Sequence, residues 1–365
     1  MKMSFHSLKI SKIVSETSDA KTIYFEIPAN LKEVFQHKPG QHLTIRSTFK
    51  GKEVRRAYSL CTSPDAEFPG VTVKKVAKGS MSVYLNNHIK VGDMLDVMSP
   101  QGHFTMSPDH LKTRGHYFIA AGSGITHVMS MIQTITELEP KSTCYLLYGN
   151  RNEDSIICKD LLEKISKKYM DQLHVTHILS QPHVKKSGGV AGLFTKKSID
   201  WQGLKGRINT DSLKKFFMEY PSANSEKQYY ICGPGDFIEN TEAGLLSMNI
   251  DKKQIHKEYF TAAHESEHTD IGLENAVVRV TLKGDTFDIE IPKGKTILDT
   301  LVDKKKDPPY SCTSGACSTC MAKVTEGEVT MDSCYALDDD EIAAGYILTC
   351  QSHPKTQRIV LTYDV

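Results

Sequence analysis

The chain has 365 residues, 39% of them hydrophobic and 24% charged, with a formal net charge of +1. That length exceeds one compact domain and suggests two or three, and the near-neutral balance supplies no global field for nucleic acid or an anionic membrane. No apolar run approaches the roughly eighteen residues of a membrane span, and the N-terminal Met1–Ser7 lacks the apolar core of a signal peptide, so a cytoplasmic protein without membrane insertion is expected.

Residues 1–107 read as short strands. Apolar and polar residues alternate over Thr22–Ile27, His42–Arg46 and Val71–Val76, with turn residues at Lys38-Pro39-Gly40, Thr62–Asp65 and Val91-Gly92-Asp93. Such spacing predicts a small antiparallel β-barrel. Over residues 108–262 the rhythm changes. Strands at Tyr117–Ala121, Cys144–Tyr148, His174–Leu179, Tyr229–Cys232 and Ile255–Phe260 alternate with helices at about His127–Glu139, Asp154–Lys168, Asp211–Glu219 and Asp236–Ser247. Alternation of this kind means βαβ units and an α/β parallel sheet. Residues 263–273 lack apolar periodicity and read as a hydrophilic linker. Residues 274–365 predict a small α+β domain: a hairpin of Val277–Leu282 and Phe287–Ile291, a helix at Thr296–Asp303, and strands at Met321–Val324 and Arg358–Tyr363.

Cysteine spacing carries the sharpest chemical signal. Four of nine cysteines are scattered singly, at Cys61, Cys144, Cys158 and Cys232, whereas Cys312-x4-Cys317-x2-Cys320 is followed by Cys350. This is the plant-type ferredoxin pattern, in which four thiolates hold a [2Fe–2S] cluster. Ser311, Ser314, Gly315, Ala316, Ser318 and Thr319 are small enough for the backbone to wrap closely around sulfur. Structural zinc sites pair two knuckles, and here Cys350 arrives alone; Cys334 reads as a spare thiol. His264-Glu265-x-x-His268 mimics a zinc-protease motif but sits in the polar linker with no apolar helical face, so we reject it.

Two further segments suggest cofactor chemistry. In Arg55-Arg56-Ala57-Tyr58-Ser59-Leu60, Arg suits a pyrophosphate, Tyr an isoalloxazine ring, and Ser a hydrogen bond near flavin N5. An ordinary barrel strand with an exposed Arg is the plain alternative. Val73 and Lys74 lead to Gly79-Ser80-Met81-Ser82 at a helix start, where free N–H groups favour an anion. Strand Tyr117–Ala121 runs into Gly122-Ser123-Gly124-Ile125-Thr126, a glycine turn that lets a dinucleotide phosphate approach a helix N-terminus, although His127 stands where a third glycine would be. Arg151 and Ser180 lie at strand C-terminal ends and suit a 2′-phosphate; no acidic residue at 149–152 favours NADH, so NADPH is preferred over NADH. Arg151 as a solvated surface charge stays open.

In order, these segments resemble the ferredoxin–NADP⁺ reductase family. The resemblance implies FAD on the barrel, with Arg56, Tyr58 and Ser59 near the ring and ribityl–phosphate portion and Gly79, Met81 and Ser82 at the diphosphate. It implies a nicotinamide site at Gly122, Ser123, Gly124 and Thr126 and at Cys232-Gly233-Pro234, with Phe260 covering the flavin; Tyr58, Ser59 and Phe260 are the expected catalytic residues. Cys232 as a buried small residue and Phe260 as a core residue are the plain alternatives. The chain departs from the family's Gly-Ile-Thr-Pro at His127, which puts the local helix geometry in question. With the C-terminal β-grasp ferredoxin domain, and tail segments Gly327–Asp332, Tyr335–Leu337 and Asp340–Pro354, the whole chain is similar to reductases of multicomponent oxygenases, including those of phenylacetyl-CoA epoxygenases. That likeness implies electron flow from NAD(P)H through FAD and the cluster to an oxygenase or other electron-accepting protein. A stand-alone flavoenzyme, a donor to a desaturase, and a ferredoxin module on an inactive scaffold are the competing expectations.

Overall fold

The computed structural model describes residues 4–186, 197–260 and 272–364. Alternating side chains build the first sheet from β1 (Phe5–Thr17), β2 (Ala20–Glu26), β3 (His42–Phe49), β4 (Lys52–Ser59), β5 (Gly70–Lys74) and β6 (Met94–Met98), with helix α1 (Ser80–Asn87) between the last two. All pairings are antiparallel, in the order β4-β3-β6-β1-β2-β5. A bridge between Leu60 and Val71 draws the end of β4 onto β5, curling the sheet around Ile10, Phe25, Ile45, Val73 and Leu85. The expected run Val71–Val76 ends as a strand at Lys74, and Val76 is exposed.

The second sheet forms from β7 (Arg114–Ala121), α2 (Ile125–Leu138), β8 (Thr143–Asn150), α3 (Lys159–Lys168), β9 (Leu173–Leu179), the short antiparallel pair β10 (Val184–Lys186) and β11 (Lys197–Ile199), β12 (Leu204–Lys205), α4 (Thr210–Glu219), β13 (Glu226–Gly233), α5 (Gly235–Ser247) and β14 (Ile255–Tyr259). Six strands run parallel in the order β12-β9-β8-β7-β13-β14. Strand order reverses at β7, so the crevice between β7 and β13 is the switch point where such sheets bind ligands. One expected helix is divided. Asp154–Lys168 becomes a 3₁₀ turn at Glu153–Ser155 and then α3, because Ile156 and Ile157 are drawn into the core and Cys158 adopts φ 59°. His127 does not interrupt α2, which is regular through it.

The third sheet comprises β15 (Ala276–Leu282), β16 (Asp285–Ile291), α6 (Ile297–Asp303), β17 (Met321–Glu326), β18 (Val329–Met331), α7 (Asp339–Ala343), β19 (Tyr346–Leu348), β20 (Ser352–Pro354) and β21 (Arg358–Thr362). Five strands order as β16-β15-β21-β17-β19, while β18 and β20 pair separately. Thr296 caps α6 through the Asp299 N–H, and Asp338 with Glu341 forms a capping box on α7. The polar motif at 264–268 lies outside the described residues. Among the described residues no helix is long and apolar enough to cross a membrane.

Candidate functional site

The cysteine loop connects α6 to β17. Gly315 has φ +69°, and a Cβ there would stand 2.6 Å from the Ser333 carbonyl oxygen, so only glycine fits this turn. The N–H groups of Tyr335 and Ala336 both donate to the Gly315 carbonyl, at 3.0 and 3.2 Å. Cys320 is anchored by the Thr349 hydroxyl on its carbonyl (2.9 Å), which brings Cys350 alongside. Hydrogen bonds with Cys317 and Cys350 hold the Cys312 thiol well below the usual range, and Cys350 is pushed up by its contacts with Cys312 and Cys320. The four sulfurs therefore meet as neighbours, Cys312 with both Cys317 and Cys350, and Cys350 also with Cys320. Four cysteines gathered in this way are the ligand set of a two-iron cluster. The Ser314 N–H donates to Cys312 Sγ at 3.4 Å, and Ser311 Oγ is buried with no partner among the described residues. This donor set fits the cluster; Cys334 lies outside it.

Helix ends show where anions fit. α4, α6 and α7 are capped by Asn209, Thr296 and Asp338, and α3 is served by Glu16, whose carboxylate accepts from the Cys158 N–H at 3.0 Å. The N-termini of α1, α2 and α5 have no side-chain cap. These three begin at Gly79, at Gly124 and at Pro234-Gly235; the first turns of α1 and α5 offer N–H donors for phosphate, whereas at α2 the Ile125 N–H already donates to the Gly122 and Ser123 carbonyls of the preceding turn. At α1 the Met81 side chain and that of neighbouring Val73 are spent in the barrel core, and the Ser82 hydroxyl accepts from the Val76 N–H (3.1 Å). Only backbone groups of Val73 and Met81 face outward chemistry, and Lys74 lies 3.9 Å from Asp19. On β4, Tyr58 is buried enough to push its phenol up, with Arg56 opposing. Arg56 is itself exposed and donates to the Arg55 carbonyl at 2.7 Å.

At the switch point the glycine turn and the Cys-Gly-Pro segment touch. A Cβ on Gly124 would stand 2.8 Å from Gly233 N and closer still to the Cys232 carbonyl, so glycine permits this contact. The Tyr148 hydroxyl donates to the Gly122 carbonyl (2.9 Å), and the Thr126 hydroxyl to that of Ser123 (3.0 Å). Arg151 and Ser180 are both exposed at the ends of β8 and β9, joined through the Ser180 N–H to Asn150 O (3.0 Å) and the Gln181 N–H to Arg151 O (2.7 Å). Nearby Glu153 already accepts from the His183 N–H at 3.0 Å.

The barrel is clamped onto α2 by Ser130 Oγ to Thr62 O and Gln133 Nε2 to Cys61 O, both 2.7 Å. This clamp brings Ser59 to His127, with Oγ 3.1 Å from Nδ1. Cys232 Sγ is 3.8 Å from the same nitrogen, the Phe260 ring lies 5.4 Å from the imidazole, and Glu258 Oε1 is 3.8 Å from Nε2. Ser59, Cys232 and Phe260 thus meet as a group. Glu258 and His127 complete it, and neither has a role legible in the sequence, because burial of a polar side chain leaves no mark in the pattern. Burial pushes the Glu258 carboxyl up to about 8, with the nearby Cys312 thiol adding to the shift. Burial lowers His127 to about 3, helped by His42. His42 pairs across the strands with Ser59 and lies 3.4 Å from Thr319, whose hydroxyl is 3.4 Å from Cys317 Sγ. One unbroken set of contacts runs from the switch point to the cysteine loop. Arg55, buried, adds an interdomain tie to Asp307 (2.9 Å) and the Pro308 carbonyl (3.3 Å).

Comparison with known proteins agrees with this layout. Family models match for an oxidoreductase FAD-binding domain over residues 7–106, an oxidoreductase NAD-binding domain over 118–243, and a 2Fe-2S iron-sulfur cluster binding domain over 280–355. Three such domains in one chain define an NAD(P)H-dependent flavin and iron–sulfur oxidoreductase. The chain is 36% identical over 363 residues to one of the subunits of 1,2-phenylacetyl-CoA epoxidase from Escherichia coli (strain K12), covering 99% of this chain and 98% of that one. It is 31% identical over 369 residues to the ferredoxin reductase component of 3-ketosteroid-9-alpha-monooxygenase from Rhodococcus rhodochrous, covering 98% and 96%. The chain belongs to this family of oxygenase reductase components. Its fold is also that of phthalate dioxygenase reductase, with TM-score 0.57, 23% identity and 98% coverage of both chains. An intact type IV self-sufficient cytochrome P450 monooxygenase gives TM-score 0.68 at 21% identity, with 98% of this chain spanning 41% of that one.

Proposed function

We propose that this chain takes electrons from NADPH and delivers them, through FAD and a [2Fe–2S] cluster held by Cys312, Cys317, Cys320 and Cys350, to an oxygenase component of the phenylacetyl-CoA epoxidase type. The observation that carries the electron route is the continuous contact from Ser59, His127 and Glu258 through His42 and Thr319 to Cys317. The acceptor rests on 36% identity across nearly the full length of both chains. When bound, the flavin supplies the conversion of a two-electron donor into single-electron transfers, while protein groups bind, orient and shield.

Each group then has a task. The uncapped N-terminus of α1, with Gly79, Met81 and Ser82 and the adjoining Val73 and Lys74, receives the FAD diphosphate; Arg56, Tyr58 and Ser59 hold its ring side. Gly122, Ser123, Gly124 and Thr126 with Cys232, Gly233 and Pro234 hold the nicotinamide dinucleotide. Arg151 and Ser180 select the 2′-phosphate, and the Glu153 carboxylate, two residues beyond Arg151, is engaged by the His183 N–H. Phe260 shields the ring from water. None of the nine cysteines forms a disulfide, which supports a reducing, cytoplasmic setting.

Anaerobic titration with NADPH tests the route. Flavin absorbance should bleach first and a reduced-cluster electron paramagnetic resonance signal should follow. Reconstitution with the oxygenase component should couple NADPH oxidation to product. Bleaching with no cluster signal, or rapid turnover of a small acceptor by cluster-free protein, would instead favour a stand-alone flavoenzyme.

A further inference from the structure

His127 stands where the family pattern has proline, at the third residue of α2. A proline is tolerated in the first turn of a helix, so the backbone alone does not call for histidine here. The imidazole is 1% exposed and wedged between Phe104 (ring centroids 5.5 Å) and Phe260. Its Nδ1 meets Ser59 Oγ at 3.1 Å and Cys232 Sγ at 3.8 Å. Its Nε2 has no hydrogen-bond partner among the described residues and faces Glu258 Oε1 at 3.8 Å, with His42 the other titratable group near it. Burying so polar a ring for packing alone is unfavourable, since phenylalanine would fill the space with nothing to desolvate.

We propose that His127 is a positioning residue that sets the direction of the Ser59 hydroxyl toward a bound flavin, through the contact of its Nδ1 with Ser59 Oγ at 3.1 Å. The idea rests on the flavin reading above. A hydroxyl has one hydrogen to give. With hydrogen on Nδ1, the imidazole donates to Ser59 Oγ and frees the serine hydrogen to point at an acceptor on the ligand. With hydrogen on Nε2, Nδ1 accepts the serine hydrogen and leaves the Oγ lone pairs for a ligand N–H. Oxidised flavin N5 is an acceptor and reduced N5 carries hydrogen, so the direction in which the imidazole holds the serine hydroxyl favours one redox state over the other. Glu258, at 3.8 Å, lies beyond hydrogen-bond reach of Nε2, so the contact that orients the serine is the one made by Nδ1. No charge is created in the buried site.

A double-mutant cycle on the full-length holoprotein tests this. The readout is the two-electron midpoint potential of the bound flavin in wild type, H127F, S59A and S59A/H127F. H127F retains a ring between Phe104 and Phe260 and removes both nitrogens. We expect it to shift the flavin reduction equilibrium three- to tenfold, about 15–30 mV for a two-electron couple, with KM for NADPH and the cluster signal unchanged. H127N, whose amide can donate or accept beside Ser59, should recover most of the shift. In the S59A background, H127F should have no further effect. An unshifted potential in H127F, or fully additive effects in the double variant, overturns the proposal; if H127F does not fold, H127Q in both backgrounds decides the same question. Wild-type protein that binds no flavin refutes the flavin reading instead.

Discussion

Replacing Gly124 by alanine separates two meanings of a glycine. Gly124 has φ −59° and ψ −17°, ordinary helical values, so alanine suits its backbone and by itself adds about 0.5–1 kcal/mol. The obstacle is elsewhere. The new Cβ would meet the Cys232 carbonyl and Gly233 N, and both are backbone atoms. They cannot swing aside, because β13 is held by β7 at Ala120 and by β14 at Glu258. Relief therefore moves the start of α2 away from the end of β13 by about 1 Å, at an overpacking cost of about 1–3 kcal/mol. A displacement of that size within a site costs roughly a hundredfold in rate, because it moves the glycine turn away from Cys232 and Gly233. Stopped-flow reduction of the flavin by NADPH, well below the melting temperature, should show that loss, with the cluster signal intact. G124A reducing its flavin within twofold of the wild-type rate would refute the reasoning.

Three other outcomes follow from the same geometry. R55M removes the buried guanidinium that reaches Asp307, the Pro308 carbonyl and the Tyr310 ring at 4.2 Å; since Asp307 is 63% exposed, the ion pair counts for little. The carbonyl bond and ring contact together are worth about 2 kcal/mol, so cluster reduction should slow while flavin reduction by NADPH stays unchanged in stopped-flow traces. Serine at any one of Cys312, Cys317, Cys320 and Cys350 should sharply lower iron and labile sulfide content, whereas C334S should retain both by chemical assay. Glu139, fully buried, is disfavoured as an ion by burial but held at about 2 by His116, Arg114 and Ser142. A depressed carboxyl stabilises above its unfolded pKa and loses that stabilisation as pH falls from about 4.5 toward 2, about 3 kcal/mol in all. Denaturant melts should therefore converge for wild type and E139Q at low pH and diverge at pH 7.

Local rules carried the sequence reading far. The cysteine spacing, the glycine turn after Tyr117–Ala121 and the strand–helix alternation are each consequences of chemistry between near neighbours. α3 resisted because two isoleucines that fit a helical pattern are recruited to a tertiary core. Met81 and Val73 look like site residues by position, yet their side chains belong to the barrel interior. Glu258, His42 and Arg55 left no signal, since each gains its meaning from a partner in another domain: Cys312, Thr319 and Asp307.

Those cross-domain partners also explain how three modules behave as one conductor. Between the switch point and the cysteine loop, burial lowers His42 to about 4 and His127 to about 3, and raises Glu258 to about 8 and the Cys232 thiol well above its usual range, each toward its neutral form. These groups are polar yet favour their uncharged forms near neutral pH. In so dry a setting, a charged side chain would interact strongly with every electron that passed. Neutral hydroxyls and imidazoles can instead reorient their hydrogen bonds without gaining or losing charge. The same burial that hides these residues from sequence analysis suits them to stand beside redox centres.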